Sequence, residues 1–179
     1  MSSRKDLTLF SYEMLALVGR EGAGPHDLLQ MARVGRFFAW AGESQYYVEP
    51  KRLAKLGYLD ARKEPGKTRE RTVYTLSEKG LEALRDWART PVGFTPFKSD
   101  ALIRILATDL VGEEVVREGF AGLREDLEDM RARAAETAER AKALPHREKY
   151  LHLGLEFLEG LIGLYEELLE KVEQDFAGP

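Results

Sequence analysis

The sequence predicts a mainly α-helical chain with one small β-hairpin, its N-terminal half made of short elements and its C-terminal half of two long antiparallel helices. Three observations lead there. In the first half, apolar side chains recur at helical spacing in three short segments, and two strand-like runs follow around a Pro-Gly pair. In the second half, apolar residues recur in alternating steps of four and three over two long stretches separated by a proline. The 179 residues are 44% hydrophobic and 32% charged, which suffices for a buried core and excludes a disordered or collagen-like chain.

The first helix is expected over residues 8–19, where Leu9, Tyr12, Leu15 and Ala16 share one face and Gly19 is the stop. Gly22 and Gly24 make a turn, and Pro25 fits the first position of a second helix, where a missing N–H costs nothing. That helix runs through Leu28, Leu29, Ala32 and Val34 to Gly35. After the aromatic run Phe37, Phe38 and Trp40, Ser44 can cap a third helix carrying Tyr47, Leu53 and Leu56, ended by Gly57. Residues 58–64 and 69–76 then read as two strands around Pro65-Gly66, a hairpin with a basic tip and a basic returning strand. Ser77 opens a fourth helix with Leu81, Leu84 and Trp87 on its face, and Pro91 and Pro96 bracket a linker. A boundary there separates residues 1–90 from residues 91–179.

Stepping by four and three from Val116 reaches Phe120, Leu123, Leu127, Met130, Ala134, Thr137, Ala141 and Leu144, with only Thr137 breaking the apolar set. From Leu151 the same stepping reaches Leu155, Leu158, Ile162, Tyr165, Leu169, Val172 and Phe176. Two heptad helices joined by a turn at Pro145 are expected, each ~40 Å long. The last helix also bears a second stripe of Phe157, Leu161, Leu164 and Leu168, more apolar surface than one hairpin partner covers. Another copy of the chain is the expected cover, since two-fold homodimers are the commonest oligomers. The dimerisation residues proposed from this pattern are Phe120, Leu123, Leu127, Met130, Leu155, Leu158, Ile162, Tyr165, Leu169 and Val172. Gly154, Gly160 and Gly163, each unfavourable in a helix, suggest close backbone approach or a bend.

Composition narrows the chemistry. Cysteine is absent, which excludes disulfides, thiolate metal sites, a cysteine nucleophile and iron–sulfur clusters, and a reducing cytoplasm is the expected compartment. The longest apolar runs, Met14 to Val18 and Phe37 to Ala41, are far below the ~20 residues of a membrane span, and the expected mature chain begins at Met1. His26, His146 and His152 form no HExxH pattern, and Glu148 and His152 stand four apart where a di-iron bundle needs three. Gly22-Ala-Gly24 lacks both the preceding strand and the following lysine of a phosphate cradle, and no serine lies in Gly-x-Ser-x-Gly. No catalytic, metal or cofactor site is expected.

The net charge of −4 conceals an asymmetry. Residues 1–90 carry 16 Lys and Arg against 12 Asp and Glu, whereas residues 91–179 carry 11 against 19. Residues 51–71 alone hold eight cations against three acids, and a phosphate backbone responds to such a patch because distant charges are screened beyond ~8 Å. Three helices followed by a cationic hairpin is the order of a winged helix-turn-helix. In that arrangement the third helix enters the ~12 Å major groove and the wing follows the backbone or the minor groove. Ser44, Gln45, Tyr46 and Tyr47 are then expected at the bases, Gln45 foremost because its amide offers adenine both a donor and an acceptor. Lys51, Arg52 and Lys55 are expected at phosphates, and Lys67, Thr68, Arg69 and Arg71 on the wing. The alternative is a winged-helix dimer that docks proteins or binds ligands without touching DNA.

The stretch Ser44-Gln-Tyr-Tyr-Val-Glu-Pro-Lys-Arg-Leu-Ala-Lys-Leu-Gly-Tyr-Leu59 resembles the recognition helix of the PadR family of bacterial transcriptional regulators. Glu64-Pro-Gly66 and Arg69-Glu-Arg-Thr-Val-Tyr-Thr-Leu-Ser-Glu-Lys-Gly80 are similar to its wing and fourth helix, and Phe97-Lys-Ser-Asp100 with the long helices resembles its dimerisation region. The resemblance implies a cytoplasmic dimeric repressor that reads a palindromic operator with half-sites ~34 Å apart and is released by a small aromatic or cationic amphipathic effector. Phe37, Phe38 and Trp40 are the residues it suggests for effector binding. Family members often have proline directly after the recognition-helix tyrosine; here Val48 follows Tyr47 and proline falls at Pro50. A helix starting at Ser44 therefore carries an interior proline, and one starting near Glu49 does not; the sequence leaves both open.

Overall fold

The computed structural model describes residues 6–34, 41–65, 70–94 and 98–176. The chain divides into two compact units, Met1–Gly93 and Phe94–Pro179.

The first unit is built on α1 (Leu9–Val18), which enters through a capping box: Thr8 Oγ1 accepts from the Ser11 amide and Ser11 Oγ accepts from the Thr8 amide. Phe10, Met14, Leu15 and Val18 on α1 are buried, and Gly19 ends the helix with φ 62°. Pro25 is the first residue of α2 (Pro25–Val34), and Asp27 turns back to accept from the Gly24 amide. In α3 (Gln45–Lys55), Pro50 is an interior residue whose ring is buried, so the longer of the two possible helices forms in spite of it. The cap expected of Ser44 does not form. Its backbone is already helical, and the amides of Gln45, Tyr46 and Tyr47 bond three residues back to Gly42, Glu43 and Ser44, a tight lead-in turn that replaces a side-chain cap.

The hairpin pairs β1 (Leu59–Glu64) with β2 (Arg71–Leu76) in antiparallel register from Leu59↔Leu76 to Glu64↔Arg71. Ala23 exchanges two backbone hydrogen bonds with Tyr74, fastening the α1–α2 turn to the hairpin edge. Ser77 caps α4 (Glu78–Ala88) through the Gly80 amide and donates its hydroxyl proton to the Gly57 carbonyl. Lys79 donates to the Leu56 carbonyl and lies 4.2 Å from the Tyr58 ring centroid. The start of α4 is thus tied to the end of α3. At its far end Trp87 stacks on Tyr12 of α1 at 4.8 Å. The core they enclose includes Met14, Leu15, Leu28, Tyr46, Leu53, Tyr58 and Tyr74.

Gly80 is where this clamp tolerates no side chain, since an added Cβ would stand 2.1 Å from the Tyr58 carbonyl oxygen. Gly80→Ala must push α4 off the α3–β1 turn, and a loss of about 1–3 kcal/mol in urea unfolding is the expected result. A midpoint within a few tenths of wild type would mean the contact can relax.

In the second unit, Ser99 caps α5 (Asp100–Leu106), which leads through α6 (Thr108–Val111) to α7 (Glu113–Gly119). Then come α8 (Leu123–Ala141) and α9 (Glu148–Asp175). Ion pairs give the direction of the last two: Arg124 meets Glu173, while Arg131, two turns further along α8, meets Glu166 and Glu159. They run antiparallel, as the periodicity predicts. One expectation is corrected. The first long helix is interrupted at residues 120–122, where the helix stops beside Gly119 and restarts after Gly122, although the side chains keep their four-three phase across the gap. The short helices α5 and α6 were not expected, because Leu102, Ile103, Leu106 and Leu110 on them are half or more exposed and show no one-sided pattern.

The side chains proposed for dimerisation lie in the seam of this single hairpin. Phe120 packs with Val116, Leu169 and Val172, and Leu127 packs with Ala134, Leu158 and Ile162. Leu123, Met130, Leu155 and Tyr165 close the edges of these two clusters, with the Tyr165 hydroxyl 3.1 Å from Ser99 Oγ. The reason is geometric: the four-three stripe of each helix is the one that faces its hairpin partner. Of the expected second stripe, Leu161 and Leu168 are half-buried, Leu168 against the first of these clusters; the large apolar side chains exposed on α9 are Tyr150, Leu153, Phe157 and Leu164. Among the described residues no helix is long and apolar enough to cross a membrane.

Candidate nucleic-acid interface

The sequence of α3 sorts its residues between core and solvent. Tyr46, Glu49, Pro50 and Leu53, at steps of three and four, face inward and are buried. The opposite face holds Ser44, Val48, Lys51 and Lys55, also at steps of three and four, flanked by Gln45 and Tyr47; all six are exposed. Among the described residues no carboxylate forms an ion pair with Lys51 or Lys55, so their charges are available to a ligand.

Five of the seven expected α3 contacts therefore share one surface: Ser44, Gln45, Tyr47, Lys51 and Lys55. Tyr46 is a correction. Its ring is 1% exposed and meets Phe10 edge-on at 5.2 Å, and its hydroxyl donates to Glu13 at 3.2 Å. Burial, then the charge and hydrogen bond of Glu13, pushes that hydroxyl up to about 12. A side chain so enclosed cannot reach a base.

Arg52 also departs from expectation, because its guanidinium is engaged inside the unit. Its Nε donates to Glu49 Oε2 at 2.8 Å and its Nη2 to Glu49 Oε1 at 2.7 Å. The same Nη2 lies 2.9 Å from the Asp6 carbonyl oxygen and 3.1 Å from Ser11 Oγ. Burial raises the Glu49 carboxyl, but hydrogen bonds from Arg52 and Ser11 and the Arg52 charge outweigh it and hold the group below its usual value. This network borders an open groove of about 680 Å³ between α1 and α3 that reaches Gln45.

On the hairpin, Arg71 is half exposed between Asp27 at 3.5 Å and Glu64 at 3.4 Å, long pairings that a phosphate can replace at little cost. Lys67, Thr68 and Arg69 lie outside the described residues, as do Phe37, Phe38 and Trp40. Lys63, one of the eight cations of the basic segment, and Val48 were not among the expected contacts. Lys63 on β1 is exposed beside Arg62, extending the basic edge of the wing. Val48, 59% exposed, sits at the middle of the α3 face, where an apolar group can meet a thymine methyl. Its i+3 and i+7 spacing to Lys51 and Lys55 was the available signal.

Neither a protein-family model nor a curated protein matches the sequence. Solved structures do. PadR of Bacillus subtilis in complex with operator DNA superposes with a TM-score of 0.70 at 20% identity, covering 93% of this chain and 98% of that one. The same protein in complex with p-coumaric acid gives 0.61 at 18% identity, covering 93% and 99%. AphA, a virulence activator of Vibrio cholerae, gives 0.62 at 19% identity over the same shares. The fold is that of PadR and PadR-like transcriptional regulators, a winged helix-turn-helix followed by long helices.

Proposed function

We propose that this chain is a PadR-type regulator that binds DNA sequence-specifically, with α3 as its recognition helix. The observation that carries the reading is the exposed face of α3, where Lys51 and Lys55, without ion pairs among the described residues, stand next to Gln45, Tyr47 and Val48. A helix ~10–12 Å across fits the ~12 Å major groove, which brings Ser44, Gln45 and Val48 to base edges and leaves the lysines for phosphates. The wing adds Lys63 and Arg71 among the described residues, and Lys67, Thr68 and Arg69, which fall between its two strands in the sequence, are proposed to join them.

In this reading the protein works as a homodimer on a palindromic operator, which brings two recognition helices to half-sites ~34 Å apart. The stripe Tyr150, Leu153, Phe157 and Leu164 of α9 supports it, being exposed in the single chain. The dimer acts as a repressor, and a small aromatic effector releases it; the Bacillus subtilis protein crystallised with p-coumaric acid supports that class of ligand. Phe37, Phe38 and Trp40 are proposed to contact it.

The test is a titration against the DNA upstream of the protein's own gene and against a scrambled duplex, at two salt concentrations. Tighter, salt-sensitive binding to the upstream DNA is expected, and release of that complex then serves to screen aromatic acids. Lys51→Ala is expected to weaken both complexes alike and to flatten the slope of log affinity against log salt by about 0.9, the loss of one phosphate contact. Absence of binding to either duplex would overturn the regulator reading.

A further inference from the structure

We infer that Arg52 is a positioning residue: with Glu49 and Ser11 it locks the pitch of the recognition helix against the start of α1 and contacts no phosphate itself. This rests on the reading of α3 as the recognition helix. The observation is a closed set of hydrogen bonds joining elements far apart in sequence. Glu49 Oε1 accepts from Ser11 Oγ at 2.6 Å and from Arg52 Nη2 at 2.7 Å, and Glu49 Oε2 accepts from Arg52 Nε at 2.8 Å. Arg52 Nη2 continues to the Asp6 carbonyl oxygen at 2.9 Å. Ser11 is fully buried and also takes part in the capping box of α1.

The Nε–Nη2 edge of the guanidinium, one of the two edges able to form a paired contact with a phosphate, is therefore occupied, and Nη2, which the other edge shares, is also held by the Asp6 carbonyl. Turning it outward would leave Glu49, whose side chain is 10% exposed, as a buried carboxylate without its counter-charge. Among the described residues, Lys51 and Lys55 on the same helix carry no such commitment. The need for a clamp follows from Pro50: its missing N–H removes one backbone bond from α3 between the residues that meet bases and the residues that meet phosphates. Glu49 and Arg52 flank that proline, and their fork fixes the helix on both sides of the gap.

Arginine and lysine separate the two roles, because lysine supplies a charge to a phosphate but cannot reproduce a planar fork. Wild type, Arg52→Lys, Arg52→Ala, Ser11→Ala and Lys51→Ala would be titrated across a salt series with a duplex selected from a random pool and with its scramble. Arg52→Lys and Arg52→Ala are both expected to lose about tenfold in preference for the selected duplex, the scale of one base contact, with the salt slope unchanged. Ser11→Ala should move the same way by less, and it decides the matter if thermal melting shows the Arg52 variants unfolded. Arg52→Ala flattening the slope by about one unit, with Arg52→Lys restoring it, would overturn the inference and return Arg52 to the phosphates. A Ser11→Ala protein with wild-type preference would overturn it too. If wild type itself shows neither salt dependence nor preference, the regulator reading fails first and this inference falls with it.

Discussion

Tyr46→Ala is expected to cost the Met1–Gly93 unit about 3–5 kcal/mol, enough to unfold a marginally stable domain near its working temperature. The ring is among the largest fully buried side chains, and it joins α3 to Phe10 of α1. Tyr46→Phe is the sharper experiment, since it keeps the ring and deletes only the donor to Glu13. A cost of about 1–3 kcal/mol is expected, because a buried carboxylate then lacks one of its hydrogen bonds. A tyrosine that met bases would behave oppositely, changing sequence preference and leaving urea unfolding alone. The pH dependence supplies an independent check. Burial, then the charge and hydrogen bond of Glu13, raises the Tyr46 hydroxyl from its ordinary 10 to about 12 in the folded chain. Its contribution is therefore whole below pH 10 and is lost as pH rises through 12, and Tyr46→Phe should abolish that part of the alkaline decline. A decline identical in both proteins would show that neither burial nor Glu13 raises the hydroxyl in the folded chain.

That Tyr46 faces inward was within reach of the sequence. Tyr46, Pro50 and Leu53 stand at steps of four and three, the same arithmetic that locates the long helices, and the phase of Leu53 decides which of the two adjacent tyrosines is inside. Ser44 to Tyr47 are not one block of polar surface, because that phase turns Tyr46 inward and leaves Ser44, Gln45 and Tyr47 outside. Elements announced by local chemistry were legible: Pro25 opens α2, Ser77 caps α4, and the hairpin strands fall within two residues of the expected ends. Two kinds of feature were not. The break at residues 120–122 is silent in the hydrophobic pattern, because side chains follow the seam of α9 and not the local backbone; Gly119 and Gly122 were its only trace. The engagement of Arg52 depends on Asp6 and Ser11, more than forty residues away, and sequence spacing shows only its neighbour Glu49.

The Phe157→Asp, Leu164→Asp double variant is expected to have the largest effect on DNA binding while leaving the chain folded. Both side chains are about two-thirds exposed on the α9 face away from the seam, so a charge there meets water in the single chain. In a two-fold dimer through that face the same carboxylates become buried without partners, at a cost of several kcal/mol each, and the dimer dissociates. Glycine supplies a second argument for this face. Gly154 and Gly160 have nothing within 4 Å of where a Cβ would stand, so the single chain gives no reason for residues that cost a helix about 0.5–1 kcal/mol each relative to alanine. Close approach of a second backbone gives one. Sedimentation should show the double variant at half the wild-type mass with unchanged helical circular dichroism. Its affinity for a duplex with two half-sites should fall by about 10²–10⁴, the advantage of binding two linked sites at once, while a single half-site is bound as before. Ile162→Asp is the contrast: it strikes the seam, where Ile162 is 1% exposed, and should unfold the hairpin of α8 and α9 itself. If the double variant sediments as wild type does, the exposed stripe is not the dimer contact. The two recognition helices would then have to be spaced by another surface, with the exposed Leu102, Ile103, Leu106 and Leu110 of α5 and α6 the next to be charged.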